Sequence, residues 1–182
     1  MQSVLLRSLS VAGLAFLAAC QDQQSDLSGP TPAGELADFP SVTGNYGGTA
    51  TAVVRSSIGN RNLSCPVTAA IGSQSGSSFS GTFTVENTGD CDSFGSISGT
   101  LVGTVQEDGT LVVTADTSEP GANVFEDAGA RAGCTVVSTT GTLSGSFSNA
   151  QWSASGSAVY DCPTSFGTFR VTADLTVSLA RT

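Results

Sequence analysis

Strict alternation of apolar and polar residues is the feature that most constrains how this chain can fold. In residues 171–179 every odd position is apolar, and every even position is threonine, aspartate or serine. The same period of two returns in three other stretches, whose apolar or glycine phase is Phe79, Gly81, Phe83, Val85; Ile97, Gly99, Leu101, Gly103, Val105; and Trp152, Ala154, Gly156, Ala158, Tyr160. Successive side chains of a β-strand point to opposite faces, so the pattern predicts antiparallel strands with one buried and one solvated face.

Clusters of Gly, Asn, Asp and Pro mark turns that divide the region into about eight strands. The predicted strands cover residues 45–55, 65–73, 78–87, 94–106, 109–117, 134–147, 150–161 and 167–180. Most connections are short, which favours a meander of antiparallel neighbours. Residues 118–133 are too long for a hairpin turn and are predicted to form a crossover or a functional loop, with a helical turn around residues 124–130.

Several glycines share the alternating phase of the large apolar residues, namely Gly81, Gly99, Gly103, Gly145 and Gly156. Inward glycines allow a sheet to bend sharply, and small closed barrels use them as kinks. We therefore predict an all-β domain in which a single antiparallel meander closes into a barrel. A β-sandwich of two packed sheets is the alternative.

The predicted eight-strand meander resembles the lipocalin-like β-barrel class. Gly44-Asn45-Tyr46 at the start of the first strand is similar to the Gly-x-Trp that opens the first strand of lipocalins, with Tyr46 in place of the tryptophan. The resemblance covers residues 41–182 by architecture and implies a cavity for an apolar ligand.

The N-terminal residues are typical of an export signal. Arg7 precedes a short apolar run over residues 11–17, which is about half of the roughly 20 residues that cross a bilayer as a helix. Leu17-Ala18-Ala19-Cys20 resembles the lipobox of bacterial lipoproteins, in which the cysteine is lipidated and becomes the new N-terminus. The resemblance implies a protein tethered to a membrane through Cys20; the alternative is an ordinary secretory signal.

These features predict three segments. Residues 1–19 are the lipoprotein signal peptide, residues 20–40 a lipid-anchored flexible linker rich in proline and acidic residues, and residues 41–182 the β-barrel domain. The expected location is a membrane facing the periplasm or the cell surface, with the outer membrane favoured.

The chain has five cysteines, and assigning Cys20 to lipid leaves an even number. Directly opposed antiparallel residues lie within disulfide distance, and two predicted hairpins bring Cys65 near Cys91 and Cys134 near Cys162. We therefore predict two disulfides with that pairing in an oxidising compartment. A four-cysteine metal site is the alternative, although the sequence lacks the closely spaced cysteine pairs typical of such sites.

Charge and composition narrow the functional classes. Without Arg7 the chain keeps five arginines against fifteen carboxylates, with no lysine and no histidine. Such a chain lacks the basic patch that nucleic-acid binding requires, so nucleic acid is not an expected partner. The usual nucleophile and acid–base pairs are missing, so we expect a non-enzymatic protein without a cofactor.

One acidic stretch is a candidate to bind calcium. Glu86, Asp90 and Asp92 offer carboxylate oxygens to calcium, although the stretch does not follow the EF-hand pattern. A hydrated acidic turn is the alternative, and no metal site is predicted.

Two functions remain open for the barrel. Five aromatic residues are candidates to line a cavity for a lipid or another apolar molecule: Phe79, Phe83, Trp152, Tyr160 and Phe169. The same residues can instead fill the barrel, because eight strands enclose a space just wide enough for side chains. A filled barrel would favour an interaction or structural protein of the cell envelope, with an exposed apolar patch for its partner. In either case we expect a monomer.

Overall fold

The computed structural model describes residues 37–118 and 122–182, which form nine β-strands, one α-helix and one 3₁₀ helix. The strands are β1 (Gly44–Ser56), β2 (Gly59–Ser75), β3 (Ser78–Val85), β4 (Ile97–Val105), β5 (Thr110–Thr117), β6 (Thr135–Thr139), β7 (Leu143–Ser148), β8 (Gln151–Thr164) and β9 (Gly167–Arg181). The α-helix α1 spans Val124–Arg131, and the 3₁₀ helix spans Gly89–Phe94. The predicted signal peptide, Cys20 and the linker as far as residue 36 lie outside the described residues.

Eight strands close into an antiparallel barrel. They follow the order β1-β2-β3-β4-β5-β7-β8-β9, and β9 pairs back onto β1 from Tyr46 opposite Arg181 to Ser56 opposite Val171. The alternating phase of the sequence faces the interior, so that Phe83, Leu101 and Trp152 are buried. The predicted all-β fold and its closure into a barrel are confirmed, and the sandwich alternative is wrong.

The prediction of one strand over residues 134–147 is wrong, because the chain breaks into β6 and β7. Gly141 has φ +69°, a left-handed conformation that ends the first strand. Both pieces pair along the same edge of β8, but only β7 continues to β5. Strand β6 therefore lies outside the barrel, and α1 contacts β5, β6 and β8 where the wall would otherwise be open.

Helix α1 begins at a well-formed cap. The Asn123 side chain accepts hydrogen bonds from the backbone N–H groups of Phe125 (3.0 Å) and Glu126 (3.1 Å), while the Glu126 carboxylate accepts one from the Asn123 N–H (3.0 Å). This capping box satisfies backbone donors that a helix start leaves free. The helical turn predicted around residues 124–130 is confirmed as this helix.

Inward glycines let neighbouring strands approach where the barrel curves. A Cβ added at Gly99 would overlap the backbone oxygen of Asp116 on β5, and one at Gly145 would overlap that of Ser153 on β8. A side chain at either position would push the strands apart, which explains why these positions interrupt an otherwise large apolar phase.

The barrel has two chemically different ends. The turns β2–β3, β4–β5 and β7–β8 lie at one end, together with residues 37–43; we call it the aromatic end because Tyr46, Phe79 and Trp152 pack there. The turns β1–β2 and β8–β9 lie at the other, together with the 3₁₀ helix and α1; we call it the helix end.

The aromatic end is closed by side chains. The rings of Tyr46 and Phe79 lie 5.2 and 5.5 Å from the ring of Trp152, and the Tyr46 hydroxyl donates to the Val42 carbonyl (2.7 Å). The Arg181 guanidinium lies over the Tyr46 ring and donates to its hydroxyl (3.0 Å). Packing, hydrogen bonding and a cation–π contact together seal this end.

Candidate functional site: an apolar cavity

The helix-end half of the barrel contains a cavity of about 360 Å³. This volume is within the range of about 300–1,000 Å³ typical of small-molecule sites. All eight barrel strands contribute to its wall, and so do α1 and three of the disulfide cysteines. The wall is made of Ala, Val, Leu, Ile and aromatic side chains, and Arg61 is its single charged residue among the described residues.

Trp152 lies between the cavity and the packed aromatic end. Its side chain is 4% exposed and lines the cavity, while the rings of Tyr46 and Phe79 contact it on the closed side. Its indole N–H has no hydrogen-bond partner within the described ranges. Trp152 is the only tryptophan of the chain, so its fluorescence reports on this boundary.

Helix α1 supplies the part of the wall that β6 does not. Phe125 is buried, and its ring reaches to within 2.9 Å of the place that a Cβ on Gly156 would occupy. The Tyr160 hydroxyl donates to the Phe125 carbonyl (3.0 Å), and its ring packs against Gly129. Burial raises the pKa of Tyr160 to about 12, so this hydroxyl keeps its proton and can donate its hydrogen bond even at alkaline pH.

Both predicted disulfides form, and both lie at the helix end. Cys65 on β2 joins Cys91 in the 3₁₀ helix, with Cα atoms 5.6 Å apart. Cys134, three residues after α1, joins Cys162 on β8, with Cα atoms 4.2 Å apart. Each bond therefore ties a non-strand segment to a barrel strand beside the cavity, where the sheet alone does not hold it. Two disulfides are consistent with a protein exported from the reducing cytoplasm.

The helix end of the barrel carries two exposed apolar residues and the exposed Arg61. Ile58, in the β1–β2 turn, is 76% exposed, and Phe166, in the β8–β9 turn, is 92% exposed. These turns are neighbours because β9 pairs with β1. Arg61 lies opposite Val54 near the start of β2, where it is exposed to solvent and also lines the cavity.

The structure divides the five aromatic residues proposed from the sequence. Phe83, Trp152 and Tyr160 line the cavity. Phe79 is buried at the aromatic end against Trp152, because it lies four residues closer than Phe83 to the β2–β3 turn. Phe169 pairs with Cys162 on β8, is half-buried, and lies outside the cavity wall.

Sequence reasoning missed two contributors to the site. The small and aliphatic residues of β1 and β9, such as Ala52, Ala173 and Leu175, form much of the wall, and alternation signalled those of β9 without indicating empty space. Arg61 was missed because the predicted second strand began at residue 65, whereas β2 begins at Gly59.

The acidic stretch beside Cys91 has a structural contact. The Asp90 carboxylate accepts a hydrogen bond from the Ser64 backbone N–H (3.1 Å), which ties the 3₁₀ helix to β2. Glu86 and Asp92 are exposed. No group of three or more Asp, Glu, Cys or His side chains is arranged to hold a metal ion in the part of the chain that the structure describes.

The helix end thus combines an apolar cavity, the Arg61 guanidinium and two flanking disulfides. Across the described ranges, α1 is the longest helix, and no helix is long and apolar enough to cross a membrane. No known protein family, curated protein or solved structure matches the chain at a significant level.

Proposed function

We propose that the barrel is a non-enzymatic binding domain that holds a small apolar molecule in the cavity at its helix end. The single observation that carries the proposal is a cavity of about 360 Å³ whose wall is almost entirely hydrocarbon. Apolar pockets with few polar groups are the commonest form of small-molecule site.

The cavity argues against the alternative of a barrel with a filled interior. At the helix end the inward positions of β9 carry Val171, Ala173, Leu175 and Val177, which are only half-buried although they point inward. Interiors of folded proteins pack densely, and a void lined by apolar groups forfeits contacts that a ligand would restore. A bound apolar molecule therefore stabilises this end of the barrel.

The proposal is tested with Nile red, an uncharged hydrophobic dye, and the Ala173→Phe variant of the chain. The new ring would occupy the cavity, so we expect the dye to bind more weakly by at least about tenfold, since every displaced methylene removes about 0.8 kcal/mol of burial. Dye fluorescence and the emission of Trp152 both measure binding.

Ala180→Phe is the matched control, because Ala180 lies on the same strand but is exposed on the outer face. Thermal unfolding of both variants establishes that they fold. Equal dye binding by the wild type and Ala173→Phe, with both folded, would place the dye elsewhere and contradict the proposal. Native mass spectrometry of the purified protein then searches for a co-purified molecule.

We further propose that the chain is an exported lipoprotein of the bacterial envelope, anchored through Cys20. The lipobox-like Leu17-Ala18-Ala19-Cys20 supports this address, and the two disulfides support folding in an oxidising compartment. Several acyl chains on one cysteine would hold a protein firmly to a bilayer.

Metabolic labelling with a radioactive fatty acid tests the anchor. We expect the wild-type chain to carry label and to sediment with membranes, and Cys20→Ser to lose both properties. A labelled Cys20→Ser protein, or an unlabelled wild type, would remove the basis for a lipid on this residue.

A further inference from the structure

We propose that the ligand is a single-chain amphiphile, with an apolar tail in the cavity and an anionic head group bound by Arg61 at its mouth. This inference rests on the proposed function and specifies its ligand. A fatty acid has this chemistry and is the probe chosen for the test below.

The arginines of the described ranges differ in whether they have a partner. Four of the five bind an acidic or oxygen group of the protein: Arg55 pairs with Asp174, Arg131 with Asp127 at 2.8 Å, Arg170 with Asp161 at 3.0 Å, and Arg181 with the Tyr46 hydroxyl at 3.0 Å. Arg61 makes no hydrogen bond or ion pair with any residue of 37–118 or 122–182. It is also the charged residue that lines the cavity.

Arg61 lies where it can bind a ligand head group at the surface, and its own charge is not buried. It shares the inward phase of β2 with Leu63, Cys65 and Val67, which line the cavity below it, yet its own side chain is exposed. An arginine can lay its hydrocarbon stem along an apolar wall while its guanidinium stays in water. A ligand charge at this point would therefore keep part of its hydration while its tail is enclosed.

The chemistry of the guanidinium selects an anion. Its planar set of N–H donors matches a carboxylate or phosphate in a bidentate geometry, and it carries no acceptor that would bind a cation. The rest of the wall offers a long tail only apolar contacts, since Arg61 is the one charged group along it in the described part of the chain. Ile58 and Phe166 are exposed in turns at the same end of the barrel, outside the cavity wall.

The test compares dodecanoate with dodecanol at a pH where the acid is ionised, by displacement of Nile red and by Trp152 emission. The two probes share a tail and differ in head-group charge. We expect the wild type to bind the acid about five- to tenfold more tightly than the alcohol, a preference that is modest because the guanidinium is exposed. Shortening the tail should weaken both probes by about fourfold per methylene.

Arg61→Gln should abolish the preference by weakening the acid and leaving the alcohol unchanged. Arg170→Gln is the control, because it removes an exposed guanidinium from the same end of the barrel without touching the cavity wall. It should retain the preference of the wild type.

The outcomes separate the two proposals. Equal binding of acid and alcohol by the wild type, or equal weakening of the acid by Arg61→Gln and Arg170→Gln, would overturn the head-group assignment and leave the apolar cavity ligand standing. Failure of both probes to displace the dye or change Trp152 emission would count against the proposed function itself.

Discussion

The aromatic end and the helix end are built from the same eight strands but are filled to different degrees. Along β9, Leu179 at the aromatic end is 5% exposed, whereas Ala173 and Leu175 at the helix end are only half-buried. At the aromatic end, Tyr46 and Trp152 bring large rings together. At the helix end, the walls carry alanine and valine, and two disulfides hold the adjoining segments.

The comparison shows how one sheet can combine stability with a binding space. Ring packing stabilises the aromatic end, so the other end can keep a cavity without losing the fold. At the helix end, α1 and the 3₁₀ helix replace regular strand pairing, and the disulfides compensate for the stability that this pairing would give. They do so because they restrict the unfolded chain, whatever the packing of the native state.

The largest effect should come from two phenylalanines of β3 that face the same interior. Phe79→Ala should lower the free energy of unfolding by about 3–5 kcal/mol, because it opens a void in a packed region. Phe83→Ala should lower it by at least about 1 kcal/mol less, since Phe83 already borders empty space and its loss enlarges an existing cavity. Urea denaturation of both variants measures the difference, and equal losses would contradict the contrast between the ends.

Removal of one disulfide should have the next largest effect. The double substitution Cys134→Ser and Cys162→Ser should lower the free energy of unfolding by about 3 kcal/mol, because it releases a closed loop in the unfolded chain. Amide hydrogen exchange should increase in α1 more than around Tyr46, since the bond anchors the segment that follows the helix. Uniform loss of protection at both ends would show that the cavity end does not unfold separately.

The turn between β7 and β8 offers a smaller, stabilising change at the aromatic end. Asn149 and Ala150 have φ of 50° and 60°, and alanine is disfavoured in this left-handed region. Ala150→Gly should therefore raise the free energy of unfolding by about 1 kcal/mol, because glycine suits the second central position of such a hairpin turn.

Ala70→Gly is its control in the same denaturation experiment, since Ala70 is exposed in the middle of β2. There glycine should destabilise by about 0.5–1 kcal/mol. If both substitutions destabilised the protein, turn strain at Ala150 would not be a real feature.

The smallest effect concerns two surface carboxylates, one at each end. The hydrogen bond from Arg170, together with its charge, lowers the pKa of Asp161 at the helix end. The Thr110 backbone N–H lowers the pKa of Asp108 at the aromatic end. Because both folded-state pKa values are depressed, each contribution is present above the unfolded value, about 4, and is lost as the pH falls through the folded value.

Salt should separate the two carboxylates. It screens the charge of Arg170, so the pKa of Asp161 should rise with ionic strength while that of Asp108 stays constant. Arg170→Gln should raise the pKa of Asp161 and leave Asp108 unchanged. Carboxyl-carbon NMR titrations measure both values, and a parallel response to salt would contradict the assigned causes.

Period-two burial, hairpin turns and the disulfide pairing could all be predicted from the sequence, because each depends on short stretches of chain. The inward phase of β8, from Trp152 to Tyr160, follows from alternation alone. The pairing of Cys134 with Cys162 follows from their places beside two neighbouring strands, because Cys134 directly precedes β6 and β6 pairs with β8, which carries Cys162. Small errors in the predicted strand boundaries do not change these predictions.

From the sequence, the cavity could be predicted only as one of two possibilities, the other being a barrel filled by its own side chains. Alternation identifies Ala173 and Leu175 as inward, but the space in front of them depends on side chains contributed by strands far away in sequence. The break at Gly141, which leaves β6 outside the barrel, likewise depends on α1 occupying that part of the wall.

By itself, then, the sequence determined an all-β chain with one apolar face, tight turns and two local cross-links, since these are properties of neighbouring residues. Only the tertiary structure decided that large rings meet at one end, while the other end brings together small residues and Arg61, which has no partner among the residues that the structure describes. The reason is that packing and charge pairing are set by which strands lie opposite each other once the barrel closes.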